Sequence, residues 1–260
     1  MNAAVIELSL FDLMIVYALL MLSVVLSQLL EAHQGKQIFW AGLRMFVQLL
    51  AVGYILHFIF ALNSPLPIIF IVVLMAVFAV QTIAARVKDK MPHFYKIVGF
   101  AILFGCGSMT FLLCTLVVGL KPWYDPQYLI PLAGMIIGNS MTGVSLAAER
   151  LAAEFRERSE EIETTLCLGG TTQNAAAPAV RSAFQAAMIP TVNAMAAMGL
   201  VFLPGMMTGQ ILSGTEPLTA VRYQIAIMCV ITTSVALTTF LILKLGYRSY
   251  FTSFQSLKGL

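Results

Sequence analysis

The chain has 260 residues, 60% hydrophobic and 10% charged, with a formal net charge of +3. A soluble domain carries about 25% charged residues, so this composition excludes a water-soluble enzyme and requires an integral membrane protein. The four cysteines, Cys106, Cys114, Cys167 and Cys229, lie in or beside apolar stretches without CxxC spacing; this argues against a disulfide framework or a zinc site and for small buried hydrophobes.

A membrane-spanning helix needs about 20 apolar residues. Seven stretches qualify, roughly 11–30, 39–62, 66–85, 96–119, 128–147, 183–203 and 218–243. The N-terminus lacks a basic n-region and carries Glu7 and Asp12 instead, so the first span is expected to be retained. In the second span Arg44 and Gln48, four apart, share a helical face. Arg44 is close enough to the end to snorkel, and His57 is placed to bond a neighbouring helix. A tight turn (NSPLP, 63–67), a basic loop (86–96) and a short loop with interfacial aromatics (KPWYDP, 121–126) separate the next spans.

Lys and Arg set the orientation. One side receives Lys36, Arg44, Arg86, Lys88, Lys90, Lys96, Arg150, Arg156, Arg158, Arg181, Lys244, Arg248 and Lys258, and the other only Lys121 and Arg222. The expectation is an all-α polytopic bundle forming one transmembrane domain over 1–260. Its N-terminus lies outside, its C-terminus inside, and 148–181 is a cytoplasmic segment.

Ionisable groups at membrane depth are scarce, so the neutral polar clusters are the candidates for a path. Span five carries GNSMTG (138–143) and span six PTVNAM (190–195). At 1.5 Å rise per residue, Asn139 and Asn193 fall at similar depth near the midplane. Asn139 with Met141, and Asn193 with Met195, each pair an amide with a thioether. Such groups coordinate transition metals, the sulfur preferring softer ions; they also serve as ordinary contacts between helices. A third cluster, PGMMTGQ (204–210), holds Met206, Met207 and Gln210, and its Pro-Gly break frees backbone that must be buried or line a cavity. No carboxylate row crosses the bilayer, and there is no hydrolase constellation or Walker A motif. No catalytic residue and no metal-ligand set is assigned, no nucleic-acid partner is implied, and ATP-driven transport would need a separate ATPase.

The segment 148–181 is the one long polar interruption. Nine charges fall between Glu149 and Glu163. Leu151, Phe155, Ile162 and Leu166 are spaced as the stripe of an amphipathic helix, and Gly169-Gly170 ends it. The stripe fits the protein's own spans or the headgroup region, or the groove of a soluble partner.

Several strings carry a resemblance: MIIGNSM (135–141), LAAERL (146–151), RSEEIE (158–163), LPGMMTGQIL (203–212) and AVRYQI (220–225). Together they resemble the FetB-type permeases, a family of bacterial iron-export permeases and related plant aluminium-tolerance proteins. The resemblance implies the membrane subunit of an ABC transporter in the inner (plasma) membrane. That subunit would be a homodimer working with two copies of a separate ATPase, which would bind ATP and Mg2+. It also implies a coupling role for Phe155, Arg158, Glu161, Ile162, Glu163, Leu166 and Gly169, because ETTLCLG (163–169) is similar to the first half of the EAA loop of ABC importers. The Ile-x-Leu-Pro that completes that loop is missing. An organic solute such as a nucleotide sugar, or a scaffold that recruits an ATPase without transporting, stand as the alternatives.

Overall fold

The computed structural model describes residues 9–31, 34–60, 64–252 and 256–257. Among these residues it is all helix, without a β-strand: α1 (Leu10–Leu29), α2 (Gly35–Phe60), α3 (Pro65–Arg86), α4 (Phe94–Leu112), α5 (Pro126–Glu157), α6 (Ser159–Cys167), α7 (Thr172–Ala197), α8 (Gly205–Leu212) and α9 (Pro217–Gly246). A π-helical turn (Leu113–Val117) extends α4, and a 3-10 turn (Tyr247–Tyr250) extends α9. Glu7, His33, Lys258 and the His57 side chain lie outside the described residues.

The helix starts follow local chemistry. Ser9 and Asp12 form a reciprocal capping box on α1. Pro65, Pro126 and Pro217 open α3, α5 and α9, where a missing N–H costs no helical bond. The Asp125 carboxylate accepts from the Gln127 N–H at 3.0 Å, and the Thr171 hydroxyl from the Asn174 N–H at 3.2 Å. Six of the helices are long and apolar enough to cross a membrane. The chain is therefore a polytopic membrane protein.

Contacts divide the chain into two units, Met1–Asn63 with Leu212–Gly214, and Ser64–Ile211 with Thr215–Leu260. In the first, α1 and α2 pack through glycine: a Cβ on Gly42 would fall 2.4 Å from Leu20 Cδ2, and one on Gly35 3.2 Å from Val24 Cγ1. Arg44 and Gln48 are exposed on α2.

In the second unit α5 is the central helix, packed against α3, α4, α7 and α9. Small residues allow the close approach, as is usual between helices in lipid. A Cβ on Gly143 would fall 2.6 Å from Val235 Cγ1, and one on Gly105 2.4 Å from Thr238 Cγ2. Ala176, Ala179, Ala183 and Ala187 form the buried face of α7. The hydroxyls of Ser140 and Ser234 meet at 3.0 Å inside the bundle.

The register fixes which ends meet. Ser140 lies beside Ser234 and Leu151 beside Gly246, so α5 and α9 run parallel. Arg150 bonds Ser182, and Met195 accepts from Thr232, so α7 runs antiparallel to both along their length. α7 is less apolar than the other long helices because its first turns are polar, yet it runs alongside α5 and α9. One end of this unit thus gathers the α3–α4 loop, the C-termini of α5 and α9, and the start of α7. Ten of the unit's twelve described Lys and Arg residues lie at this basic end, and Lys121 and Arg222 do not.

Three expectations are corrected. α7 spans Thr172–Ala197 rather than 183–203, because Gly199 takes φ +84° and its N–H bonds the Phe202 carbonyl, so the chain turns before Pro204. Pro204 itself opens α8, its carbonyl accepting from the Thr208 N–H and hydroxyl. Cys106 and Cys114 are buried as expected, but Cys167 and Cys229 are exposed, since they fall on the outward faces of α6 and α9.

Candidate functional site

The 32 residues of α5 extend about 48 Å, beyond a hydrocarbon core of about 30 Å. The last turns therefore project past the span at the basic end. The helix does not continue to Cys167 as one amphipathic rod. It breaks at Arg158, which is the C-cap of α5 and the N-cap of α6.

A buried carboxylate holds this break. Glu154 is 1% exposed and accepts from three groups. Arg150 reaches it at 2.5 Å and the Arg158 Nε at 2.6 Å, the Ser182 hydroxyl donates to it at 2.6 Å, and Arg150 Nε also donates to Ser182 at 3.2 Å. One side chain thereby ties α5 to Arg158, the cap residue of α6, and to α7. Arg158 adds a bond to Glu161 at 3.3 Å, and Arg156 pairs with Asp89 of the α3–α4 loop.

The expected stripe turns inward. Phe155 is fully buried, stacked on Tyr250 with ring centroids 4.4 Å apart and met edge-on by Phe251. Leu151 and Ile162 are also buried, and Leu166 is half-buried. Of the two readings of the stripe, packing on the protein's own helices describes Leu151, Phe155 and Ile162. The residues left facing outward on α6 are Glu160, Glu161, Glu163, Thr164, Cys167 and, at 83% exposure, Leu168.

Gly169 and Gly170 end α6 in a Schellman motif. Gly170 N–H bonds the Thr165 carbonyl at 2.9 Å and Gly169 N–H the Leu166 carbonyl at 3.0 Å. Gly169 sits at φ +85°, and a Cβ on Gly170 would fall 2.7 Å from the Thr165 oxygen. Both positions therefore need glycine, for different reasons. Gly169→Pro forces φ to about −65° and removes the bonding N–H. It is expected to fray the last turn of α6 while leaving membrane insertion intact, read as faster amide exchange over 163–170 with unchanged insertion yield.

The two Asn residues lie at similar heights along the antiparallel α5 and α7. A Cβ on Gly143 would lie 3.6 Å from the Ala187 carbonyl, and the same antiparallel register carried one turn on sets Asn139 within a turn of Asn193. Both side chains are exposed on the flank of the unit. Asn139 donates to the Met135 carbonyl of its own helix at 2.8 Å, so it fastens no neighbouring helix. Met195 is exposed and accepts from the Thr232 hydroxyl at 3.1 Å; Met141, Met206, Met207 and Gln210 are half-buried. Among the described residues no group of three or more His, Cys, Asp or Glu is placed to hold a metal.

Sequence reasoning missed Glu154, Ser182 and Leu168, although arginines four residues either side of Glu154 signalled a clasped carboxylate. It also missed a groove of about 790 Å3 between α7 and α9 at the basic end, lined in part by Arg181, Lys244 and Arg248.

Residues 10–251 match the family described as uncharacterised protein family UPF0014. The chain belongs to the UPF0014 family. A UPF0014 membrane protein of Synechocystis sp. is 40% identical over 99% of both chains. The Escherichia coli protein named "Probable iron export permease protein FetB" is 32% identical, over 90% of this chain and 89% of that one. The Arabidopsis thaliana protein named ALUMINUM SENSITIVE 3 is 31% identical, over 92% and 86%. The resemblance to the FetB-type permeases is thereby confirmed for nearly the whole chain. No solved structure matches.

Proposed function

We propose that this UPF0014 protein is the membrane-spanning permease of an ABC transporter that exports iron or another transition metal, driven by a separate ATPase. The observation that carries the proposal is α6. A nine-residue helix with its own glycine stop joins the two helices, α5 and α7, that hold the Asn and Met pairs. It is fastened to both through Glu154 and turns an acidic face with one exposed leucine outward. The name of the Escherichia coli relative supports an export permease.

In this reading the basic end faces the cytoplasm, α7 is one of seven crossings, and the N-terminus lies outside the inner (plasma) membrane. Two copies of the chain engage two ATPase subunits, which hold the ATP and Mg2+; this chain needs no cofactor of its own. Closure of the ATPases presses on Glu161, Glu163 and Leu168, and the clasp at Glu154 passes the shift to α5 and α7. Asn139, Met141, Asn193 and Met195 meet the cation with amide oxygen and thioether sulfur, and Met206, Met207 and Gln210 serve the far end of the path. Transport follows only if the two states differ in affinity for the cation.

The test is Fe2+ movement by the purified chain with its ATPase in liposomes. ATP-dependent movement is expected. Asn139→Ala, Asn193→Ala or Met206→Ala should each lower it about tenfold, the equivalent of one lost polar contact of ~1.4 kcal/mol, with ATPase binding retained. Full transport in all three variants would remove these residues from the path, and hydrolysis without solute movement would point to a scaffold. The three cations of the α7–α9 groove favour an organic anion such as a nucleotide sugar as the second reading, tested by substituting a labelled nucleotide sugar for Fe2+.

A further inference from the structure

We propose that the groove between α7 and α9 at the basic end binds the anionic head of a membrane phospholipid. Its volume, about 790 Å3, is in the range of small-molecule pockets. Its lining is divided by chemistry. Val180, Phe184, Phe240 and Leu243 give an apolar cleft, while Arg181, Lys244 and Arg248 bring three cations, with no acidic residue in the lining.

These cations differ from the others nearby. Arg150, Arg156 and Arg158 are each paired with a carboxylate. Arg181, Lys244 and Arg248 take part in no ion pair among the described residues. Lys244 lies over the Phe240 ring at 5.3 Å, and the Arg248 guanidinium beside the Tyr247 ring at 6.0 Å. Three uncompensated cations above an apolar cleft match a ligand that is anionic at one end and greasy at the other.

The position in the fold supports the same occupant. Lys244 stands on the last turn of α9 and Arg248 on the 3-10 turn that extends it, at the end of a helix long and apolar enough to cross a membrane, the level at which basic side chains meet lipid headgroups. The phosphate would sit among Arg181, Lys244 and Arg248, and an acyl chain would follow Phe184 and Phe240. A small soluble anion makes no use of the apolar wall. A second copy docked symmetrically would bring the same cations against themselves.

The experiment places the purified chain in bilayers of equal phosphatidylcholine and phosphatidylglycerol, extracts it, and counts retained lipids by native mass spectrometry. Phosphatidylglycerol should be retained over phosphatidylcholine by about tenfold or more. The preference should drop about fivefold with each of Arg181→Gln, Lys244→Gln and Arg248→Gln and vanish in the triple variant. Lys88→Gln with Lys90→Gln removes two charges from the same end outside the groove and should leave the preference in place. If the triple variant does not fold, the three single variants carry the test. Equal retention of both lipids by the unaltered chain would overturn the proposal, as would an equal loss in the Lys88/Lys90 variant. Displacement of the retained lipid by inorganic phosphate or UDP-glucose would also overturn it, in favour of a soluble anion.

Discussion

Glu154→Ala is expected to loosen the basic end and to lower unfolding stability by about 2–3 kcal/mol, the scale of one or two charged hydrogen bonds. The carboxylate is enclosed and accepts from Arg150, Arg158 and Ser182, so its removal breaks several bonds at once and leaves a small void. The loss stays below the 3–5 kcal/mol of a wholly buried pair, because the Arg150 and Arg158 side chains are 45% and 42% exposed and rehydrate. Glu154→Gln separates shape from charge. It retains an acceptor for Ser182 but gives up both ion pairs, and should lie between the unaltered chain and the alanine variant. The measurements are thermal unfolding in detergent and amide exchange over 155–170, where the effect concentrates because Arg158 is the N-cap of α6. Unchanged melting and exchange in Glu154→Ala would show that α6 is held by its apolar contacts alone.

The helical class and most of the helices were legible because lipid imposes a length and composition rule on each span. The same rule was blind to α7. The apolar stretch that follows it, Met198 to Leu203, looked like the end of a span, while its first turns, Thr172 to Arg181, looked like loop. The left-handed turn at Gly199 and the alanine face of α7 decide its actual ends, and both depend on neighbours. The Leu151–Leu166 stripe was read correctly as a stripe, but periodicity does not say what it faces. That is decided by Tyr250 and Phe251, nearly a hundred residues further on, which close over Phe155. The Gly169 stop was legible because a positive φ at a helix end nearly demands glycine. The similar height of Asn139 and Asn193 along the bundle was legible as well, since counting residues along antiparallel helices needs no side-chain detail.

The inward turn of the stripe moves the docking prediction to a residue the periodicity did not single out. Leu168, 83% exposed at the C-cap of α6, is the large apolar side chain that α6 offers outward. Its flank of Glu160, Glu161 and Glu163 would set the orientation of a basic partner surface. If an ATPase cleft receives α6, burying this leucine contributes about 1.5–3 kcal/mol, so Leu168→Asp should weaken ATPase binding roughly 10- to 100-fold. Stability in detergent should not change, since the side chain touches little of its own protein. Phe155→Ala should do the reverse, costing about 3–5 kcal/mol of stability as a buried aromatic and reaching the partner only through disorder of α6. The pair is read by co-purification and by melting. Normal ATPase binding in Leu168→Asp, together with loss in a well-folded Phe155→Ala, would mean that the partner opens the helix packing instead of meeting its outer face, and the coupling surface would have to be sought beneath α6.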